Sequence, residues 1–292
     1  MATDTLTSRS GPQSRSLPLN HGGHSVRTSL NYYADPGDGS PPMPVVVGST
    51  SVTNERPTFA VSVEVRDITG EEDKYTLDSH GFQLLRHETQ VTDFREVEVL
   101  RKDYFPEIEQ VLKDITGAAR VYIFDHKVRH GPSNWHSLGK NNASQRGPLH
   151  RVHIDQSTEG AFMVLEHSLP AEAAALRGKR FQIINAWRPL KTIFKDPLAV
   201  ADATSVPDAD LVPASIIYRD HRKESFTVLP GAGHRWFFKY RQRPDEVMLI
   251  KCFDSSPEAA ARRAPHTAFR DPAEDGAEDR ESIEIRALVF YD

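Results

Sequence analysis

The sequence predicts a mainly β protein, an antiparallel sandwich or barrel, on two observations. After residue 118 the chain offers strand-like segments at 120–126, 151–155, 181–187, 214–220, 235–240, 246–253 and 282–291, joined by loops. Helical patterns between them are few and short, which does not suit a strand–helix–strand alternation.

Taken in order, residues 1–45 are rich in Ser, Pro, Gly and Asn and bury too little to offset ordering entropy, so a mobile or draped segment is expected. Leu30, Tyr32 and Tyr33 are its candidate anchors. Residues 58–67 alternate Phe59, Val61, Val63 and Val65 with polar residues, the pattern of a half-buried strand. Residues 81–85 form a second short strand. Pro106 then opens a helix with Ile108, Val111, Leu112 and Ile115 on one face, and Gly117 closes it. Short Ala-rich helices are expected at 170–176, ended by Gly178, and at 257–263. In the last strand Ile283, Ile285, Ala287 and Val289 lie on one side, with Arg280, Ser282, Glu284 and Arg286 on the other. That polar side faces either water or a wet functional interior.

The chain has 292 residues, 38% of them hydrophobic and 26% charged, enough for a sizeable core. A net charge of -5 argues against a general nucleic-acid binder. Cys252 is the only cysteine, which fits a reducing compartment. The first sixteen residues lack the apolar core of a secretory leader, and no run is long enough to cross a bilayer. A soluble cytoplasmic protein with a small-molecule substrate is expected, with no nucleic-acid or membrane partner.

The chemistry centres on residues 151–157, RVHIDQS. In extended chain, His153 and Asp155 point to the same side. Two His and one carboxylate with open positions suit non-heme Fe(II) and dioxygen. His167, His221, His234 and His266 are the candidates for the second imidazole. His266 is favoured because it follows a long apolar strand and precedes the last one; His234 is its main competitor. Arg280 and Ser282, two apart, can cradle a carboxylate from one side of a strand. The order His-x-Asp, distal His, Arg-x-Ser is what a 2-oxoglutarate oxygenase requires.

WHSL, GPLHRVHIDQS, INAWRPL, PLAVAD, KCFDSS, PHTAF and the closing RESIEIRALVFY together resemble the AsaB-type hydroxylase/desaturase family, from about Leu30 to the C-terminus. The resemblance implies a double-stranded β-helix (jelly-roll) core with flanking α-helices. It also implies Fe(II), 2-oxoglutarate and O2 as cofactors, with His153, Asp155 and His266 as ligands. A single oxygenase domain over 46–292 follows, with N-terminal strands and helix at 46–117 and the jelly roll at 118–292. Arg188 and Arg286 fall in matching segments and join Arg280 and Ser282 as candidates for 2-oxoglutarate. Arg129, His130 and Trp135 are candidates for substrate. The implied reactions are hydroxylation, desaturation or cyclisation of a small natural-product or amino-acid-derived molecule. The alternatives are a zinc-dependent or cosubstrate-free jelly-roll hydrolase or isomerase, and a metal-free binding scaffold.

Overall fold

A computed structural model describes residues 23–47, 56–134 and 146–292. The first strands are β1 (Val26–Tyr33), β2 (Val45–Val46), β3 (Thr58–Asp67) and β4 (Phe82–Arg86). Helix α1 (Val97–Val99) passes through a π-helical turn at Leu100–Tyr104 into α2 (Phe105–Thr116). Then come β5 (Arg120–Arg129), β6 (His153–Ile154), α3 (Thr158–Ser168) and α4 (Ala173–Leu176). Strands β7 (Phe181–Pro189), β8 (Leu198–Ala201), β9 (Leu211–Ile217) and β10 (Arg222–Val228) follow. The last are β11 (Trp236–Phe238), β12 (Glu246–Asp254), β13 (His266–Ala268) and β14 (Ser282–Phe290).

Among the described residues these strands make a nine-stranded sheet, β1-β3-β11-β8-β13-β6-β10-β9-β2, and a five-stranded sheet, β4-β12-β7-β14-β5. Pairing is antiparallel except at β3–β11 and β2–β9. The two sheets enclose a common core, and the architecture is a double-stranded β-helix with helices on the outside.

The central strands of the smaller sheet are buried on both faces. Leu100, Tyr104, Ile108 and Leu112 lie one turn apart and cover its outer face, packing on Ile184, Ala186, Val247, Leu249 and the outward side of β14. Gly117 closes α2 in the left-handed region at φ 67, its N–H reaching Lys113 O at 2.8 Å. The inner face of the same sheet contributes Ile183, Trp187, Met248, Ile250 and Leu288 to the core between the sheets. β7, β12 and β14 are therefore buried along their whole length. That decides the polar side of β14: Ser282, Glu284 and Arg286 are buried too, so this side faces an interior and not bulk water.

Several expectations are corrected. Residues 26–33, placed by composition in a draped segment, form β1 in full register with β3, although Leu30, Tyr32 and Tyr33 are buried as expected of its anchors. Long-range pairing supplies the hydrogen bonds that composition does not reveal. Val111 and Ile115 do not join Ile108 and Leu112 in the core, and Ile115 is exposed. Residues 257–263 are not helical. The chain runs extended past β12 instead, with Ala264 N donating to Lys251 O at 2.8 Å, and this carries His266 to its place in the sheet.

Helix α3 has no apolar signature strong enough to be read from the sequence. Ser157 Oγ caps it by accepting from Gly160 N at 2.9 Å. Gly160 is required there, since a Cβ would sit 2.0 Å from Glu224 O. Strands β8 and β10 likewise have no counterpart among the expected segments.

Candidate metal centre

The larger sheet brings the two imidazoles together. His266 on β13 and His153 on β6 are direct cross-strand partners, so their side chains rise from one face with ring centroids 4.5 Å apart. Asp155 lies two residues beyond His153. Its Oδ1 is 3.8 Å from His153 Nε2, and its Oδ2 is 3.9 Å from His266 Nε2. All three ligand atoms lie within 4.8 Å of one another. These gaps are too long for hydrogen bonds. They suit three donors sharing one ion at about 2 Å each.

The tautomers also fit. His153 Nδ1 is 2.9 Å from Arg151 O, and His266 Nδ1 is 3.2 Å from Ala264 O. A carbonyl can only accept, so each Nδ1 carries the proton and each Nε2 keeps its lone pair. Burial, helped by the neighbouring His266, pushes His153 down to about 3, leaving a neutral imidazole. Burial pushes the Asp155 carboxyl up, but Arg286 first, together with the Asn185 amide, outweighs it and holds the group well below the usual range.

Asp155 is gripped from the smaller sheet. Asn185 Nδ2 donates to Oδ2 at 2.6 Å and Arg286 donates to Oδ1 at 2.9 Å. Asn185 and Arg286 are themselves cross-strand partners on β7 and β14. Arg286 also donates to Glu284 at 2.6 Å and lies 3.5 Å from Asp125. Its guanidinium is thus engaged with protein carboxylates and is not a free clamp for 2-oxoglutarate. The sequence reading missed Asn185, although a buried amide inside the apolar run FQIINAW was a usable signal.

Next to this grip lies a pair of arginines. Arg280 is buried, donates from Nη1 to Asp196 O at 2.7 Å, and stacks over Trp187 at 5.3 Å. Among the described residues its Nε has no hydrogen-bond partner, and neither does Ser282 Oγ. Arg129 is the cross-strand partner of Ser282 and donates to Gly147 O at 3.0 Å. Burial, with Arg129 adding to it, pulls Arg280 down to about 9, so an anion here would relieve both guanidiniums.

The other candidates lie elsewhere. Arg188 points to the helix side, three residues along the strand from Asn185. Its guanidinium donates to Tyr104 Oη at 2.8 Å, His87 O at 2.9 Å and Pro244 O at 2.5 Å. It holds structure together and does not reach the centre. His130 is exposed, and its described contact is a backbone N–H to Arg146 O at 3.1 Å. Trp135 lies outside the described residues. His234 is bound to Asp210 at 2.9 Å and Tyr32 Oη at 3.1 Å. His221 stacks between Tyr218 and His167.

A family model described as an oxidoreductase/YMDC permease-like domain matches residues 30–290. The hydroxylase/desaturase asaB of Aspergillus flavus is 31% identical, over 91% of this chain and 95% of its own length. The chain belongs to this hydroxylase/desaturase family. Another member, the hydroxylase/desaturase efuI of Hormonema carpetanum, is 36% identical over 92% of this chain and 96% of its own. The alpha-ketoglutarate-dependent dioxygenase tstK of Talaromyces stipitatus is 34% identical over 90% of this chain and 96% of its own. Among solved structures, the iron and alpha-ketoglutarate-dependent endoperoxidase NvfI superposes with a TM-score of 0.77 at 24% identity, covering 91% of this chain and 98% of that one. That likeness bears on the fold, and it agrees with the jelly roll described above.

Proposed function

We infer that this family member is an Fe(II)/2-oxoglutarate-dependent oxygenase that hydroxylates, desaturates or cyclises a small natural-product or amino-acid-derived molecule. His153, Asp155 and His266 would be its iron ligands. The observation that carries this reading is the convergence of two Nε2 lone pairs on one ionised carboxylate, with both Nδ1 atoms tied to carbonyls. A donor set of two imidazoles and one carboxylate suits ferrous iron with open positions. Arg280 Nε and Ser282 Oγ, without a hydrogen-bond partner among the described residues and beside Arg129, fit the far carboxylate of 2-oxoglutarate.

Bound iron, with 2-oxoglutarate and O2, supplies an oxidant able to take a hydrogen from an unactivated C–H bond. The chain's own residues do the positioning. Asn185 and Arg286 hold Asp155 ionised and fix which way its oxygens point. Arg151 O and Ala264 O fix the ring planes of the histidines. Trp187 shields one face of Arg280 from water and so strengthens its pull on an anion.

We read the catalytic unit as one domain over 46–292, with β1 adding a strand to its larger sheet. No helix among the described residues is long and apolar enough to cross a membrane. A single buried cysteine supports a cytoplasmic setting.

Anaerobic addition of Fe(II) and then 2-oxoglutarate tests the reading. A weak visible charge-transfer band is expected, with succinate released once O2 is admitted. Stoichiometric zinc binding without any turnover of 2-oxoglutarate would favour the hydrolase instead.

A further inference from the structure

We propose that Lys127 binds a carboxylate on the substrate, so that the enzyme takes acids in preference to their neutral esters; this rests on the oxygenase reading above. Strand β5 turns Asp125, Lys127 and Arg129 to the inside. Between them His126 packs outward on Phe105 at 5.6 Å, and Val128 joins the helix-side core. The registers stack three cross-strand rows. Asp125, Arg286 and Asn185 form the first, Lys127, Glu284 and Trp187 the second, and Arg129, Ser282 and Pro189 the third.

The first row grips Asp155, and the third carries the proposed cosubstrate clamp. Rows repeat every two residues, about 6.6 Å along a strand. Lys127 therefore stands between metal carboxylate and clamp, set off toward the sheet edge, since β5 is the outermost strand. A molecule presenting a C–H bond to the metal from that side comes within reach of its ammonium.

Lys127 also has donor capacity to spare. Its side chain is 22% exposed, and its nearest carboxylate is Asp125 at 3.5 Å, with no hydrogen bond among the described residues. Both neighbouring carboxylates are engaged by Arg286, Glu284 at 2.6 Å and Asp125 at 3.5 Å. Burial first, then Arg286, pull Lys127 down to about 8, with Asp125 opposing. Arg146 acts on Lys127, and Lys223 on Asp125, so further cations stand near the pair. A compact anion can hydrogen-bond the ammonium directly, whereas an ester leaves it with only Asp125 at 3.5 Å, a carboxylate that Arg286 shares.

The test uses the full chain with Fe(II) and 2-oxoglutarate under nitrogen. Thermal shifts are measured with benzoic, cinnamic and decanoic acids and with their methyl esters. The acids should raise Tm and the esters should not. Lys127→Met should weaken the acids about tenfold or more, the range of a charge-assisted hydrogen bond. Lys127→Arg should keep the preference, which guards against a mere packing effect. Equal shifts for acids and esters, no binding of any acid, or an unchanged preference in Lys127→Met would overturn the proposal. So would a raised 2-oxoglutarate requirement for succinate release in Lys127→Met, because Lys127 would then serve the cosubstrate. The oxygenase reading fails separately, if wild type with Fe(II) and O2 forms no succinate while acid binding persists.

Discussion

Arg286 donates to Asp155 across the gap between the two sheets, at 2.9 Å, from a strand 131 residues away in the sequence. The pair joins the sheet that carries the imidazoles to the sheet that carries the candidate cosubstrate residues. Removing the guanidinium leaves Asp155 and Glu284 as buried carboxylates, and the half-buried Asp125, with too little compensation. Arg286→Met should therefore cost stability, by about 3–5 kcal/mol as for a broken buried pair. It should also weaken Fe(II) binding about 10–100-fold. Chemical denaturation and an anaerobic iron titration measure the two effects.

Asp155→Ala should abolish succinate formation and leave the circular dichroism spectrum unchanged, because Arg286 retains Glu284 and Asp125 as partners. Wild-type turnover in this variant would remove Asp155 from the centre.

His266→Ala and His234→Ala should separate. The first should lose iron binding. The second should keep iron and lose roughly 1–3 kcal/mol, since Asp210 and Tyr32 would lose a buried partner. Iron titration paired with melting curves distinguishes them, and the reverse pattern would reinstate His234 as the ligand.

Arg280→Ala should raise the 2-oxoglutarate concentration for half-maximal rate about tenfold or more before it affects iron. Arg188→Ala should leave that concentration unchanged and lower the melting temperature, because its bonds to His87 O and Pro244 O are structural. Steady-state kinetics on both variants decide which arginine serves the cosubstrate.

The acid limb of stability should carry a signature of Asp196. Burial pushes its carboxyl up, but His150 and Ser133 bind the ionised form and bring it below its ordinary value. A folded pKa below the unfolded one, about 3.9, gives stability that is present above that pH and lost as pH falls through the folded value. Asp196 sits at φ 54, a conformation that Asn also tolerates. Asp196→Asn should flatten the stability–pH slope below about pH 4, as read by urea denaturation at stepped pH.

Local pattern determined a good deal here. The alternation over 58–67 made β3, and Pro106 with Gly117 bounded α2. His153 and Asp155 share a side because two residues of extended chain leave no other choice. The polar side of β14 was visible as a pattern, but not its surroundings. Which histidine joins the pair depended on the β6–β13 register, and which arginine can serve the proposed cosubstrate clamp depended on which face of the smaller sheet it lies toward. Arg188 and Asn185 lie three apart in one strand and so point into different cores. Such choices are made by pairings between strands more than a hundred residues apart, whose energy comes from burying both faces of a sheet at once. No window of local sequence contains that term, so only the assembled tertiary structure could decide them.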